Sequence, residues 1–164
     1  MLKIYNRELA KEYALKWATK RNPKFYNFDN LGGDCTNFAS QCVYAGCNVM
    51  NYSYPLGWYY ISLTNRSPSW TSAQFFNDFL TRTLVSIGPI AIETELKNLE
   101  IGDIVQIKTN NVFSHSLVIT EVVKNSSNPF DYKICAHTND AYNRRLSTYN
   151  LAGAKYLKII GFYN

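Results

Sequence analysis

Histidine is scarce in this chain: two in 164 residues, His115 and His137. A metal hydrolase needs more ligands than that, and no Glu-bearing helical histidine motif supplies them. The four cysteines, Cys35, Cys42, Cys47 and Cys135, lack the paired Cys-x-x-Cys spacing of structural zinc. A chain of this length also has no need of a disulfide framework. There is no Gly-x-Ser-x-Gly elbow for a serine hydrolase, no Gly-rich loop to cradle a phosphate, no internal repeat and no low-complexity stretch. No apolar run approaches the ~18 residues that span a bilayer, which excludes a transmembrane helix. Like charges never gather in a block, so the basic tail that wraps nucleic acid is missing and nucleic acid is not the expected partner. The opening Met-Leu-Lys-Ile-Tyr carries no export signal. The location expected below, secreted or at the cell envelope, therefore calls for a signal in other domains of a longer chain, or for release by lysis from a phage-derived gene.

Aromatic residues, by contrast, are plentiful. They make up 15% of the chain, with 13 Tyr, 9 Phe and 3 Trp, enough to build a core and still line a cleft. Hydrophobic residues account for 46% and charged ones for 18%, a globular composition. The length suits one domain over residues 1–164. The formal charge of +5, from 17 Lys and Arg against 12 Asp and Glu, favours an anionic partner such as a phosphate-bearing wall polymer.

The first half reads as helices. Asn6 caps a helix running to about Arg21, with Leu9, Tyr13 and Trp17 as its apolar stripe, Ala10 beside them, and Arg7, Glu8, Lys11 and Glu12 on the wet side. A loop closed by Gly32-Gly33 leads to a second helix from Cys35 to Gly46, where glycine suits the left-handed position past a helix end. Thr71 and Gln74 form a capping box for a third helix to about Thr83, burying Phe75, Phe76, Phe79 and Leu80. The second half changes period. Ile101–Ile107, Ser114–Val123, Tyr132–Thr138 and Lys155–Tyr163 read as strands, with Asn110-Asn111 and Asn125–Pro129 closing hairpins. Helices followed by antiparallel strands describe an α+β fold.

Chemistry concentrates on three residues. Cys35 opens a helix, where free N–H groups and the helix dipole favour a thiolate, and its own backbone N–H is the natural oxyanion donor. His115 lies on a strand, sharing a side with Phe113, Leu117 and Ile119. His137 lies on the next strand with Cys135 and Asn139, so the two imidazoles are expected to face each other on one sheet face. That set suits a thiolate nucleophile, a histidine base and a third polar group that orients it. Cys42, Cys47 and Cys135 read as inert core thiols. Asp34 suits a helix cap or a site group. Trp58, Tyr59 and Tyr60 suit either a substrate groove or packing beneath the long connection; Trp70 and Trp17 suit the core. Arg144 and Arg145 read as a solvated loop, with a substrate carboxylate as the other use.

The ordered set Gly33-Asp34-Cys35-Thr36-Asn37-Phe38, Gly102-Asp103-Ile104-Val105 and Ser114-His115-Ser116-Leu117-Val118-Ile119 resembles the papain-like cysteine amidases and peptidases of bacterial cell walls, the NlpC-type and CHAP enzymes. The closer likeness is to an amidase family related to them. It is carried by Tyr13-Ala14, Lys16-Trp17-Ala18, Arg21-Asn22-Pro23, Ser40-Gln41-Cys42, Trp58-Tyr59-Tyr60, Ser69-Trp70 and His137-Thr138-Asn139-Asp140. The resemblance implies a papain-like (NlpC-type) fold with N-terminal helices packed on a C-terminal antiparallel sheet. It implies Cys35 as nucleophile, His115 as base and a third member at His137, with Asn139 as runner-up and Asp140 behind it. It implies hydrolysis of an amide, with no metal or organic cofactor.

The leading function is a cysteine hydrolase of peptidoglycan, an N-acetylmuramoyl-L-alanine amidase or an endopeptidase. Asp34, Trp58, Tyr59 and Tyr60 are its candidate substrate contacts. The alternatives are a cysteine peptidase or acyltransferase on a non-wall peptide or isopeptide, and a wall-binding module without catalysis.

Overall fold

The computed structural model describes residues 1–124 and 130–164. Four α-helices come first: α1 (Arg7–Trp17), α2 (Cys35–Cys47), α3 (Pro68–Thr71) and α4 (Ala73–Leu80). Six strands follow: β1 (Gly88–Thr94), β2 (Ile104–Thr109), β3 (Val112–Val123), β4 (Asp131–Ala136), β5 (Ala141–Arg145) and β6 (Lys155–Tyr163). They form one antiparallel sheet in the order β1-β6-β2-β3-β4-β5, so the class is α+β. The second expected hairpin, Asn125–Pro129, lies outside the described residues. The first is closed as expected: Asn110 and Asn111 both take positive φ, 51° and 63°, the pairing a two-residue hairpin turn demands.

Period-two alternation sorts the strand residues between two apolar layers. Ile104, Val118, Cys135, Leu157 and Ile159 face the helices and pack with Phe38, Cys42, Trp58, Trp70, Phe76 and Phe79. Val105, Leu117, Ile119, Ile134 and Ala136 face the other way, under Leu96, Leu99, Leu146 and Tyr149. Two strands escape the sequence reading because they are edges. Among the described residues β1 pairs only with β6 and tolerates Pro89, and β5 pairs only with β4 and reads Ala-Tyr-Asn-Arg-Arg. Arg144 and Arg145 therefore sit on a strand rather than a loop.

The helices correct the expected faces. In α1 the buried line is Ala10, Ala14 and Ala18, each fully covered, while Leu9 is 47% exposed and Tyr13 and Trp17 only flank the core. Small residues at i, i+4 and i+8 let α1 lie close against α2, and the bulky stripe is turned aside. Arg7 is not on the wet side. Its guanidinium donates to the Ile101 and Ile159 carbonyls and to buried Asp103 at 2.6 Å, tying α1 to β2 and β6. α1 ends near Trp17 rather than Arg21. The third expected helix is α4, which is capped at extended Ser72 rather than Thr71, ends at Leu80 and leaves Phe75 54% exposed; the short turn α3 before it is not among the expected helices.

α2 runs through Gly46, and Asn48 takes the left-handed cap at φ 52°. Gly46 serves instead as a seat for the Tyr5 ring, where any Cβ would overlap the aromatic carbons. Tyr5 is held there by its hydroxyl, which donates to the Gly102 carbonyl at 3.1 Å. Gly46→Ala is expected to destabilise the protein by about 1–3 kcal/mol, as an overpacked core does. Gly46→Ala combined with Tyr5→Leu should recover part of that loss in urea unfolding, because the clash is then removed.

Candidate active site

The mouth of α2 is fixed by a buried polar knot. Asp34 occupies the N-cap position, but its side chain makes no capping bond. Its carboxylate accepts instead from the Phe28 N–H at 2.9 Å and from Asn37 Nδ2 at 2.8 Å, and lies 2.5 Å from His137 Nδ1. The Asp34 N–H donates to Thr138 Oγ1 at 2.9 Å. Gly33, at φ 101°, brings the chain close enough that a side chain there would press on Thr138. Arg21 closes the outside of the knot, donating to both Asp29 and Asp140.

His137 is thus not the partner of His115. It falls beyond β4, in the turn 137–140, and tucks under α2 with its ring stacked on Phe38 at 4.0 Å between centroids. Its Nε2 lies 2.8 Å from the Trp17 carbonyl, which can only accept, and its Nδ1 lies against the Asp34 carboxyl group. Neither nitrogen is left to orient another histidine. Asp140 is committed to Arg21, and Asn139 is exposed in the turn with no hydrogen bond among the described residues. The expected two-histidine patch fails because strand alternation stops with β4 at Ala136.

Cys35 sits at the corner this knot builds. Its sulfur lies 3.8 Å from the Ser114 carbonyl, and the Ser116 backbone N–H also faces it. β4 joins β3 only from Val118↔Cys135 onward, so the edge of β3 at Ser114–Ser116 is left free of β4, and the sulfur fills that place. Thr36 reinforces the docking through its hydroxyl, 3.1 Å from Ser116 Oγ. The sulfur therefore rests against the backbone on both sides of His115. A register shift between Ile107 and Lys108 makes Ser114 the extra residue of a bulge just before that histidine.

The His115 side chain alternates with Leu117 and Ile119 on the far face of the sheet, its ring 6.3 Å from that of Tyr149. Burial is the one cause that moves it, and it lowers the imidazole below its ordinary value. Burial also pushes the Cys35 thiol up, outweighing the Ser116 N–H and the Thr36 hydroxyl and N–H that favour thiolate. Both shifts run against the expected helix-mouth thiolate and favour the uncharged thiol and imidazole. Among the described residues no hydrogen bond joins the two side chains. The remaining thiols behave as core residues, with Cys42 and Cys135 fully buried and Cys47 at 4% exposure.

The aromatic candidates for a groove resolve into packing. Trp58 is fully buried, donates to Ser40 Oγ at 3.0 Å and packs on Trp70, Phe76 and Phe79. Tyr59 is 5% exposed, and the Tyr60 hydroxyl accepts the Tyr26 N–H. Asp34, at 1%, is equally out of reach of a substrate. The sequence reading missed Ser114, Ser116 and Thr36 as the cradle of the sulfur, although each adjoins a residue already singled out. It also missed Tyr149, the aromatic neighbour of His115, which no local signal marks.

A family model described as "Putative amidase domain" matches residues 4–160. The chain belongs to this family. The domain is also 30% identical over 129 residues to the Bacillus subtilis (strain 168) protein named "Uncharacterized protein YhbB". The match takes in 76% of this chain and 39% of that relative, so the chain spans well under half of the relative's length. No solved structure matches.

Two outcomes follow for the amidase domain. Cutting one side of a buried pair costs about 3–5 kcal/mol, so His137→Ala and Asp34→Ala should each destabilise it by about that much in denaturant unfolding. The second concerns acid. A base whose native value is depressed binds its proton more readily when unfolded, so stability is lost as pH falls through the ordinary histidine range. Between about pH 7 and pH 5 the melting temperature of the wild type should fall more steeply than that of His115→Gln.

Proposed function

We propose that this amidase domain is a cysteine-dependent amide hydrolase with a papain-like arrangement, a nucleophile helix set against an antiparallel sheet, and that its substrate is bacterial peptidoglycan. The observation that carries the reading is the seat of Cys35: a sulfur at the start of a buried helix, lodged on the two serines that bracket His115. The family match supports amide hydrolysis as the reaction class.

In this mechanism the Cys35 sulfur attacks the carbonyl carbon while His115 takes the thiol proton. The tetrahedral oxyanion is met by the Cys35 backbone N–H and the dipole of α2. Collapse breaks the C–N bond, and His115 hands its proton to the departing amine. Water, deprotonated by His115, then attacks the thioester, releasing the acid and restoring the thiol. A neutral resting pair suits this sequence, because the base must begin unprotonated. Catalytic hydrogen bonds are often long before substrate arrives and tighten in the complex, so His115 is expected to close on the sulfur only then. His115 works here without an orienting third side chain; its ring is steadied by the Tyr149 contact instead.

The basic surface suits an anionic wall polymer, and that substrate places the work at the cell envelope. The test is digestion of purified peptidoglycan. Cys35→Ala and Cys35→Ser should abolish release of soluble fragments while leaving the fold intact. His115→Ala should reduce release by about 10²–10⁴-fold, the usual worth of a general base. Continued release by Cys35→Ala would rule out the thiol mechanism.

A further inference from the structure

Arg144 is anchored and has no acidic partner. Most other charged side chains near it are engaged: Arg145 pairs with Asp131 at 2.8 Å, Lys133 with Glu121 at 2.8 Å, and Arg21 with Asp29 and Asp140. Arg144 has no carboxylate partner among the described residues, yet it is held in place. Its Nε donates to Thr148 Oγ1 at 2.7 Å, and its guanidinium lies 4.3 Å from the centre of the Tyr149 ring. Stacking on an aromatic face fixes the plane of the fork; Nη2 lies 3.5 Å from the Thr148 carbonyl, and Nη1 makes no hydrogen bond among the described residues, which leaves it for an anion.

The placement ties this arginine to the proposed site. Arg144 pairs across the sheet with Ile134, which pairs with Ile119, so its side chain rises on the same face as Leu117, Ile119 and His115. Tyr149 bridges the two, 4.3 Å from the guanidinium and 6.3 Å from the imidazole. Those two spans put the charge within about 11 Å of the His115 ring. An extended peptide advances about 3.3–3.6 Å per residue, so this reach covers at most about three residues from the scissile bond.

We propose that Arg144, stacked on Tyr149, is an anion subsite that selects substrates carrying a carboxylate within about three residues of the bond to be cut. The subsite rests on the hydrolase reading above and sharpens its substrate class: a muropeptide whose D-glutamate α-carboxylate is free binds better than one in which it is amidated. A fixed guanidinium meets a carboxylate through paired N–H donors and meets a carboxamide with one acceptor and a repelled NH₂.

The test uses two synthetic ligands, N-acetylmuramoyl-L-alanyl-γ-D-glutamyl-L-lysine amide and its counterpart with the α-carboxylate converted to carboxamide. Binding is measured by calorimetry to the full chain carrying Cys35→Ala, so that no turnover intervenes. The free carboxylate should bind about fivefold or more tighter, the upper range for a solvent-exposed ion pair. Adding Arg144→Gln should bring the two affinities together by weakening the carboxylate ligand alone, and Arg144→Glu should invert the order. Equal affinities with Arg144 present, or a preference that survives Arg144→Gln, would overturn the subsite and leave the hydrolase reading standing. Failure of both ligands to bind would overturn the peptidoglycan assignment and the subsite with it.

Discussion

The candidate active site depends on one buried contact, the carboxylate of Asp34 against the ring of His137. Both side chains are about 1% exposed, and the contact joins residues 103 positions apart. Around it gather the Phe28 N–H, Asn37, Thr138 and the Trp17 carbonyl, so the end of α1, the glycine loop, the start of α2 and the turn after β4 share one anchor. Taking a carboxylate out of water is costly, and only a full set of partners offsets it. With that anchor in place, the next residue along, Cys35, has little freedom in where its sulfur goes.

Electrostatics at the sulfur is a contest between two effects that sequence position alone cannot rank. The dipole and free N–H groups of a helix start favour the thiolate, and burial at 7% exposure opposes it. Burial outweighs them at Cys35 and also lowers His115, so both shifts favour the uncharged forms. Such a site differs from one with a preformed thiolate–imidazolium pair. In the proposed mechanism the charge separation comes with the substrate, when the imidazole takes the thiol proton.

Much of this architecture is legible in the residues. The start of α2 at Cys35, the Asn110-Asn111 turn, the last strand and the long strand through His115 follow from local signals: a glycine approach, an asparagine pair and β-branched alternation. What is not legible comes from long-range competition. Ala10, Ala14 and Ala18 win the core face of α1 over Leu9 and Trp17 because α2 must approach closely, and that requirement is written in α2 rather than α1. β1 and β5 hide because edge strands need little apolar content. His137 reads as a strand residue, but β4 ends one residue earlier, and its partner Asp34 is invisible to any local pattern. Ser114 and Ser116 lie in plain view beside His115. Their role shows only once β4 is seen to stop short and leave their edge to the sulfur.

The proposed covalent catalysis through a thioester rests on the seat of Cys35, and the most direct measurement is to catch it. The protein is mixed with a muramoyl-peptide ester, whose good leaving group makes acylation outrun hydrolysis. The reaction is quenched in acid, and the cysteine-bearing peptides are weighed. The account predicts an acyl mass on Cys35 alone, labile to hydroxylamine and strongly reduced in His115→Ala. Steady ester cleavage with Cys35 unmodified, or acyl mass carried by Cys42, Cys47 or Cys135, would contradict it.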